Sequence, residues 1–434
     1  MIPDSFYYIL ILLIFSFVIL AWLKCGSLIN PVSYFNIWWG SFLFISSINL
    51  VGIRTPRIDT YWMFLLALSA YSIGSITFLE NYNTKQKMTP GYFKNYNYLS
   101  ENKLPKIFLF LQIITLVILL FFFKKSLNML TSLDPGTYRY LVYTDEGVFQ
   151  GHRILLNYYL RPVVFITTFL TLAGVFYGIM KKRFFVLAAV NIFLYSMVIL
   201  GRSAIILIVF SSVIGFLYMY DTNLIKLKKR YLAILLIPII FVISLSVFRK
   251  SYASAKTATD ILYEYFIWYL TAPFTAFDFF LHNFKVNVDY DFSICRSFFG
   301  GIEDFLEPFI RKVYPNFNQI NNSSHDMIGQ YRDFGGIATH HNSHYTMLFT
   351  FYRDAGMYGI LVFSYIFGIV NATVYNSFRK NPGMYNLILL IFLTYLSIMS
   401  TTRWEFMYSW TWIVILGSLI LTRRFIFSEK KLNF

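Results

Sequence analysis

Charge is scarce in this chain: Asp, Glu, Lys and Arg together make up 13% of its 434 residues, about half the share in an ordinary soluble domain. Hydrophobic residues fill 57% and the mean hydropathy is +0.57, which excludes a chain built only for water. Cysteine is almost missing, with Cys25 and Cys295 the only two. Also absent are a nucleotide-binding loop, a Gly-rich dinucleotide fingerprint, a serine nucleophile elbow and the H-E-x-x-H spacing of a zinc site. His341 and His344 share a helical face only as a pair, so no metal is expected.

What the chain does have is apolar runs of the length that crosses ~30 Å of hydrocarbon. They lie near 5–23, 31–50, 60–80, 105–123, 154–179, 184–200, 203–220, 231–248, 345–376, 384–400 and 406–422. The expected fold is therefore all-α, a polytopic membrane protein of about eleven transmembrane helices. The first run lacks a basic leader and a small-residue cleavage site and is expected to be a retained span.

Basic residues set the expected orientation. Lys181-Lys182-Arg183, Lys226 to Arg230, Arg379-Lys380 and Arg423 to Lys431 mark every second loop. These loops and the 81–104 segment would be cytoplasmic, with the N-terminus outside and the C-terminus inside. The net charge of +16 is then an orientation signal beside anionic lipid, not a nucleic-acid surface. Cys25 and Cys295 fall on opposite sides, so no disulfide joins them. Aromatic residues reach 21%, more than interfacial belts require, which leaves rings to line a cavity suited to sugars or lipid chains.

Two outer segments are too long to be connectors. One is 124–153, with Asp134-Pro-Gly136, Arg139 and His152-Arg153. The other is 249–344, which divides the chain into an N-terminal helical part (1–248), the loop itself and a C-terminal helical part (345–434). Within the loop, 261–281 is apolar but broken by Glu264, Pro273 and Asp278, as expected of a helix at the interface or re-entering the protein, with a twelfth span as the alternative. An acidic turn is expected at Glu303-Asp304, followed by an Asn-rich stretch at 316–344. All six histidines (His152, His282, His325, His340, His341 and His344) fall outside in this topology.

The stretch 340–359 carries the most chemistry. Three histidines lead into an apolar span that still holds Arg353 and Asp354, and ionisable groups inside a span are costly unless they face protein or a water-filled cavity. Histidine suits proton transfer near neutral pH. Arginines mark the outer ends of several helices: Arg202 in Gly201-Arg-Ser203, Arg249 at the end of a span, Arg403 in Thr401-Thr-Arg-Trp-Glu405, and Arg139 in the first long loop. Guanidinium grips phosphate oxygens with a fork of donors, so arginines at headgroup depth fit a lipid-linked diphosphate. Lipid snorkelling or pairing with carboxylates such as Glu405 is the simpler role for each alone.

Here the chain resembles the bacterial polysaccharide repeat-unit polymerases of the O-antigen polymerase (Wzy-like) kind. The resemblance covers the helical architecture, the Gly-Arg break and the long outer loop. Locally it covers Tyr345-Thr346, Phe351-Tyr352, Asp354, Gly356, Gly359 and Gly368, with Ser343 where Asn is usual. The related O-antigen ligases carry a histidine at a fixed distance before G-x-x-G. Here that place is Tyr345, and His344 comes one residue early, which favours polymerase over ligase.

The resemblance implies a glycosyltransferase at the outer leaflet of a bacterial inner membrane. It would move the growing glycan from an undecaprenyl diphosphate onto a hydroxyl of the next lipid-linked repeat unit, with no nucleotide, cofactor or metal. A chain-length regulator and a flippase would be its partners besides the bilayer. His344 or His341 is the expected base, with Asp354 and Tyr345 orienting it or the sugar. Arg139, Arg202, Arg249, Arg403 and Arg353, with Tyr352, are the expected substrate contacts. The alternatives are a transporter of lipid-linked sugars or another amphiphile, and a ligase.

Overall fold

The computed structural model describes residues 4–49, 52–81, 104–142, 147–152, 154–176, 182–201, 203–222, 267–283, 293, 295–317, 334 and 345–430. They are overwhelmingly helical, and no β-strand occurs among them. The helices are α1 (Asp4–Cys25), α2 (Pro31–Ser47), α3 (Ile58–Phe78), α4 (Leu104–Leu130), α5 (Pro135–Val142), α6 (Arg161–Phe176, entered through a π-helical turn at Leu155–Leu160), α7 (Lys182–Ile199) and α8 (Ser203–Asp221). Then follow α9 (Tyr269–Asn283), α10 (Gly300–Val313), α11 (Met347–Lys380), α12 (Met384–Met399) and α13 (Ser409–Lys430).

Among the described residues, six stretches are long and apolar enough to cross a membrane: Ser5–Cys25, Ile58–Phe78, Phe108–Leu130, Leu155–Phe176, Ala204–Asp221 and Met347–Lys380. Arg183–Ile199, Met384–Met399 and Ser409–Thr422 are apolar but shorter. The run at 231–248 lies outside the described residues. A helix satisfies its own backbone, which is why a long apolar run takes this form. Local chemistry sets the boundaries: Asn30 caps α2 by accepting the Ser33 N–H at 3.0 Å, with Pro31 in the first turn, and α1 ends where Gly26 turns to φ +70°, a glycine stop.

The chain divides into two compact units, neither contiguous in sequence. The first comprises Met1–Lys85, Leu262–Lys380 and Leu393–Thr411, and the second Gln86–Ile261, Asn381–Phe392 and Trp412–Phe434.

The first unit is organised around the crossing of α3 and α11. A Cβ at Gly74 would collide with the Tyr365 carbonyl, and one at Gly368 with the Tyr71 carbonyl, so two glycines let the backbones touch, as small residues do between membrane helices. Ser75 Oγ donates to the Gly368 carbonyl at 3.0 Å across the same contact. Phe35 of α2 stacks on Tyr71 with centroids 3.6 Å apart. Buried amides add polar links: Asn36 Nδ2 donates to Ser72 Oγ at 2.7 Å, and Asn371 Oδ1 accepts from Ser397 Oγ at 3.2 Å. At one end of this unit Lys24 donates to the Ile76 carbonyl, Asn376 to the Phe78 carbonyl, and Lys380 pairs with Glu80. The ends of α1, α3 and α11 therefore share a side.

α9 lies inside the first unit and is buried along most of its length from Thr271 to Leu281, while residues 261–266 of the expected apolar segment lie outside the described residues. α10 occupies the place of the expected acidic turn at Glu303-Asp304. That turn is the opening of a helix because Ile302, Phe305, Leu306, Phe309 and Val313 recur with helical period and the acids stand at its N-terminal, positive end.

The second unit is held by similar means. Buried Gln112 of α4 donates to Thr171 Oγ1 and to the Phe184 carbonyl, both at 3.3 Å, and accepts from Asn191 Nδ2 at its backbone oxygen at 3.0 Å. Tyr138 of α5 is fully buried and donates between Ser126 Oγ and the Val198 carbonyl.

Candidate functional site

The longest helix among the described residues is broken where its charge lies. Within α11, Ala355 (φ −157°, ψ 31°) and Gly356 (φ 60°, ψ −139°) leave helical geometry, immediately after Arg353 and Asp354, both buried. Gly356 is required by its left-handed φ, which a side chain resists. Gly359 is required by space, since a Cβ there would overlap the Phe351 carbonyl. The Asp-x-Gly-x-x-Gly spacing thus builds a broken helix whose second part starts tight against the first.

The break has a partner far away in sequence. Asp354 Oδ1 accepts from Ser293 Oγ at 2.5 Å and from the Ser297 N–H at 2.8 Å, and Oδ2 accepts the Phe298 N–H at 2.7 Å. Ser293 N–H donates to the Arg353 carbonyl at 3.1 Å. One carboxylate therefore fixes the turn that leads into α10. With three donors on it, Asp354 positions this turn. In the same turn, burial and the Asp354 charge push the Cys295 thiol above its ordinary pKa. Arg296 donates to Glu303 at 2.9 and 3.1 Å, which raises the guanidinium's pKa further.

A third irregular segment, 400–408, closes on the first two. Trp404 Nε1 donates to the Phe298 carbonyl at 3.0 Å. Phe298 meets Phe363 at 4.7 Å, Trp404 at 4.9 Å and Phe351 at 5.6 Å. The Ser400 carbonyl accepts the Met347 N–H at 2.8 Å, and Trp39 Nε1 donates to Ser400 Oγ at 2.9 Å. In this segment Arg403 pairs with Glu405 at 2.7 Å and lies 5.4 Å from the Tyr408 ring. Glu405 is buried, and its Oε2 has no hydrogen-bond partner among the described residues. Three stretches of non-helical backbone thus meet around buried ionisable groups, an arrangement tolerated in a membrane only inside protein or at a cavity.

Tyr345 and Tyr352 of the expected site are buried on one face with Phe349. Tyr345 lies 4.8 Å from Phe349, and both tyrosines meet Phe280 of α9 at 6.3 Å. Tyr352 also meets Phe277 at 6.3 Å. Arg139, in the second unit, donates to the Leu200 carbonyl at 2.8 Å, a cation on the last carbonyls of α7. Arg202, Arg249, His341 and His344 lie outside the described residues.

Two further groups come together only in the fold. Ser293, Ser297 and Phe298, which receive Asp354, carry no local signal. His282 at the end of α9 places Nδ1 2.8 Å from the Asp278 carbonyl and Nε2 3.0 Å from Asp59 Oδ2. Buried Asp278 in turn accepts the Arg57 N–H at 2.9 Å and Thr60 Oγ1 at 2.6 Å, capping the start of α3. Asp59, Asp278 and His282 offer ligand atoms within 4.8 Å of one another. The bonds already on Asp278 make the group a clip between two helix ends. No family model, no curated protein and no solved structure matches this chain.

Proposed function

We propose that the chain is an integral membrane glycosyltransferase that polymerises lipid-diphosphate-linked oligosaccharide repeat units. In this reading its eleven apolar runs span the inner membrane of a bacterium and its long loop faces outward. The shared side of Lys24, Glu80 and Lys380 agrees with the alternation of loops on which that orientation rests.

The observation that carries the reading is the use made of Asp354, Gly356, Gly359 and Gly368, the residues on which the resemblance stands. They make a broken helix, a buried carboxylate and a close helix crossing. In the reaction, the acceptor hydroxyl gives its proton to a base and attacks the anomeric carbon. The bond from that carbon to the diphosphate breaks, and the lipid diphosphate leaves with the electron pair. His341 or His344, directly before α11 in sequence, would be the base. Arginines would stabilise the leaving diphosphate, with Arg202, Arg249 and Arg139 as candidates. Arg403 would join them only by sharing itself with Glu405. Asp354 would act through the turn that it holds, and Tyr345 and Tyr352 through the aromatic wall at the mouth of α11.

Deletion in the host tests this. The proposal expects single lipid-linked repeats to accumulate and long glycans to vanish. The second reading, a transporter of lipid-linked sugars, is favoured by the same broken helix, because transporters build their sites from discontinuous helices. In that case the deletion strands repeats on the cytoplasmic side.

A further inference from the structure

α10 has one face committed to the protein and exposed apolar side chains on the other. Its backbone at Gly301 lies so close to the carbonyls of Phe406 and Tyr408 that a Cβ would collide with them. Asp304 accepts the Ser409 N–H at 3.2 Å, Glu303 pairs with Arg296 and Glu307 with Arg311. The acidic residues thus all stand on the bound or paired side. Ile302, Phe305, Leu306, Phe309 and Val313 are exposed, Phe309 by 63% and Val313 by 70%. At 100° per residue these five fall within an arc of about 100° on the opposite side.

The depth of this face follows from the turn before it. Phe298, held by Asp354, stacks on Phe363 of α11 at 4.7 Å. Next to Phe363, Tyr358, Val362 and Ile366 form the exposed apolar stripe of a helix long and apolar enough to cross a membrane. The turn that leads into α10 therefore packs against α11 one residue along from that stripe, which brings the start of the exposed face of α10 close to it. At the far end stand Lys312, whose Nζ lies 5.9 Å from the Phe309 ring, and exposed Tyr314. A lysine stem and a tyrosine at the end of an apolar stripe suit the phosphate level of a bilayer.

We propose that α10 is an interfacial helix whose Ile302–Val313 face is seated in the acyl–headgroup boundary of the membrane, so that lipid, not protein, covers it. The inference needs only that α11 crosses the bilayer, and it stands whether or not the chain is a transferase. Through Phe298 and Trp404, such a helix would anchor the turn on Asp354 at a fixed depth.

The test uses the full chain carrying Cys295→Ser, with buried Cys25 left in place, in nanodiscs of phosphatidylethanolamine and phosphatidylglycerol. A nitroxide is attached at Phe309→Cys, Val313→Cys or, on the opposite face, Arg311→Cys, and collisions with oxygen and with a water-soluble nickel chelate are compared. The expected ratio of oxygen to nickel collisions is several-fold higher at 309 and 313 than at 311. Ready access of nickel at 309 and 313 would place the face in water. Protection from both reagents would place it under a second copy or another protein. Either result overturns the proposal, and using two positions guards against one variant that misfolds.

Discussion

The carboxylate of Asp354 accepts the backbone N–H of Phe298 at 2.7 Å, across 56 residues of chain. This bond joins a break in α11 to the turn that launches α10, and so ties that turn to the helix. Asp354→Ala should leave the Ser297 and Phe298 N–H groups unsatisfied at a cost of roughly 1–3 kcal/mol each. The expected outcome is a lower unfolding temperature in detergent and faster hydrogen exchange confined first to 293–299. Asp354→Asn, which keeps one acceptor oxygen, should lose less. Equal protection of these amides in all three proteins would refute the bond.

The α3–α11 crossing depends on missing side chains. Gly368→Ala and Gly74→Ala each push a methyl into a facing carbonyl and should destabilise by about 1–3 kcal/mol, the range of overpacked cores. Gly383→Ala, where the nearest atom is 3.8 Å from the new methyl, is the control and should change little. Thermal unfolding of the three variants checks this.

Half-buried Arg403 pairs with buried Glu405, and a pair with a buried partner punishes the loss of one member more than the loss of both. Arg403→Met alone should destabilise by about 3–5 kcal/mol by stranding the Glu405 charge. Arg403→Met with Glu405→Met should recover most of that loss. A double variant as unstable as the single would show that the two residues act separately.

Cys295 reports on Asp354. Burial and the neighbouring carboxylate raise its pKa, so less thiolate is present at neutral pH than for an ordinary thiol. Its alkylation rate should follow a pH profile displaced upward, and Asp354→Asn should bring the midpoint down by removing the negative charge. An unmoved midpoint would mean that the charge does not reach the thiol.

The helices were legible because apolar runs of bilayer length have few other outcomes. Asp354, Gly356, Gly359 and Gly368 stood out as charge and glycine where neither is easily placed. Their function in the fold was hidden, because each meets backbone from a distant part of the chain: Ser297 and Phe298 for Asp354, Tyr71 for Gly368. The pairing of Arg403 with Glu405 was legible from two residues' separation. The clip of Asp59, Asp278 and His282 was not, since nothing near residue 59 announces a partner at residue 282. α10 was hidden because Glu303 and Asp304 read as a turn, although the apolar residues around them recur with helical period.

The central claim is the transfer reaction, and purified protein in nanodiscs given a synthetic undecaprenyl-diphosphate-linked oligosaccharide tests it most directly. The account predicts a ladder of products at whole multiples of the repeat, with release of undecaprenyl diphosphate, no need for nucleotide, and loss of the ladder in the variant with both His341→Ala and His344→Ala. Unchanged substrate from protein that is folded, or movement of intact substrate between leaflets without a ladder, would contradict it.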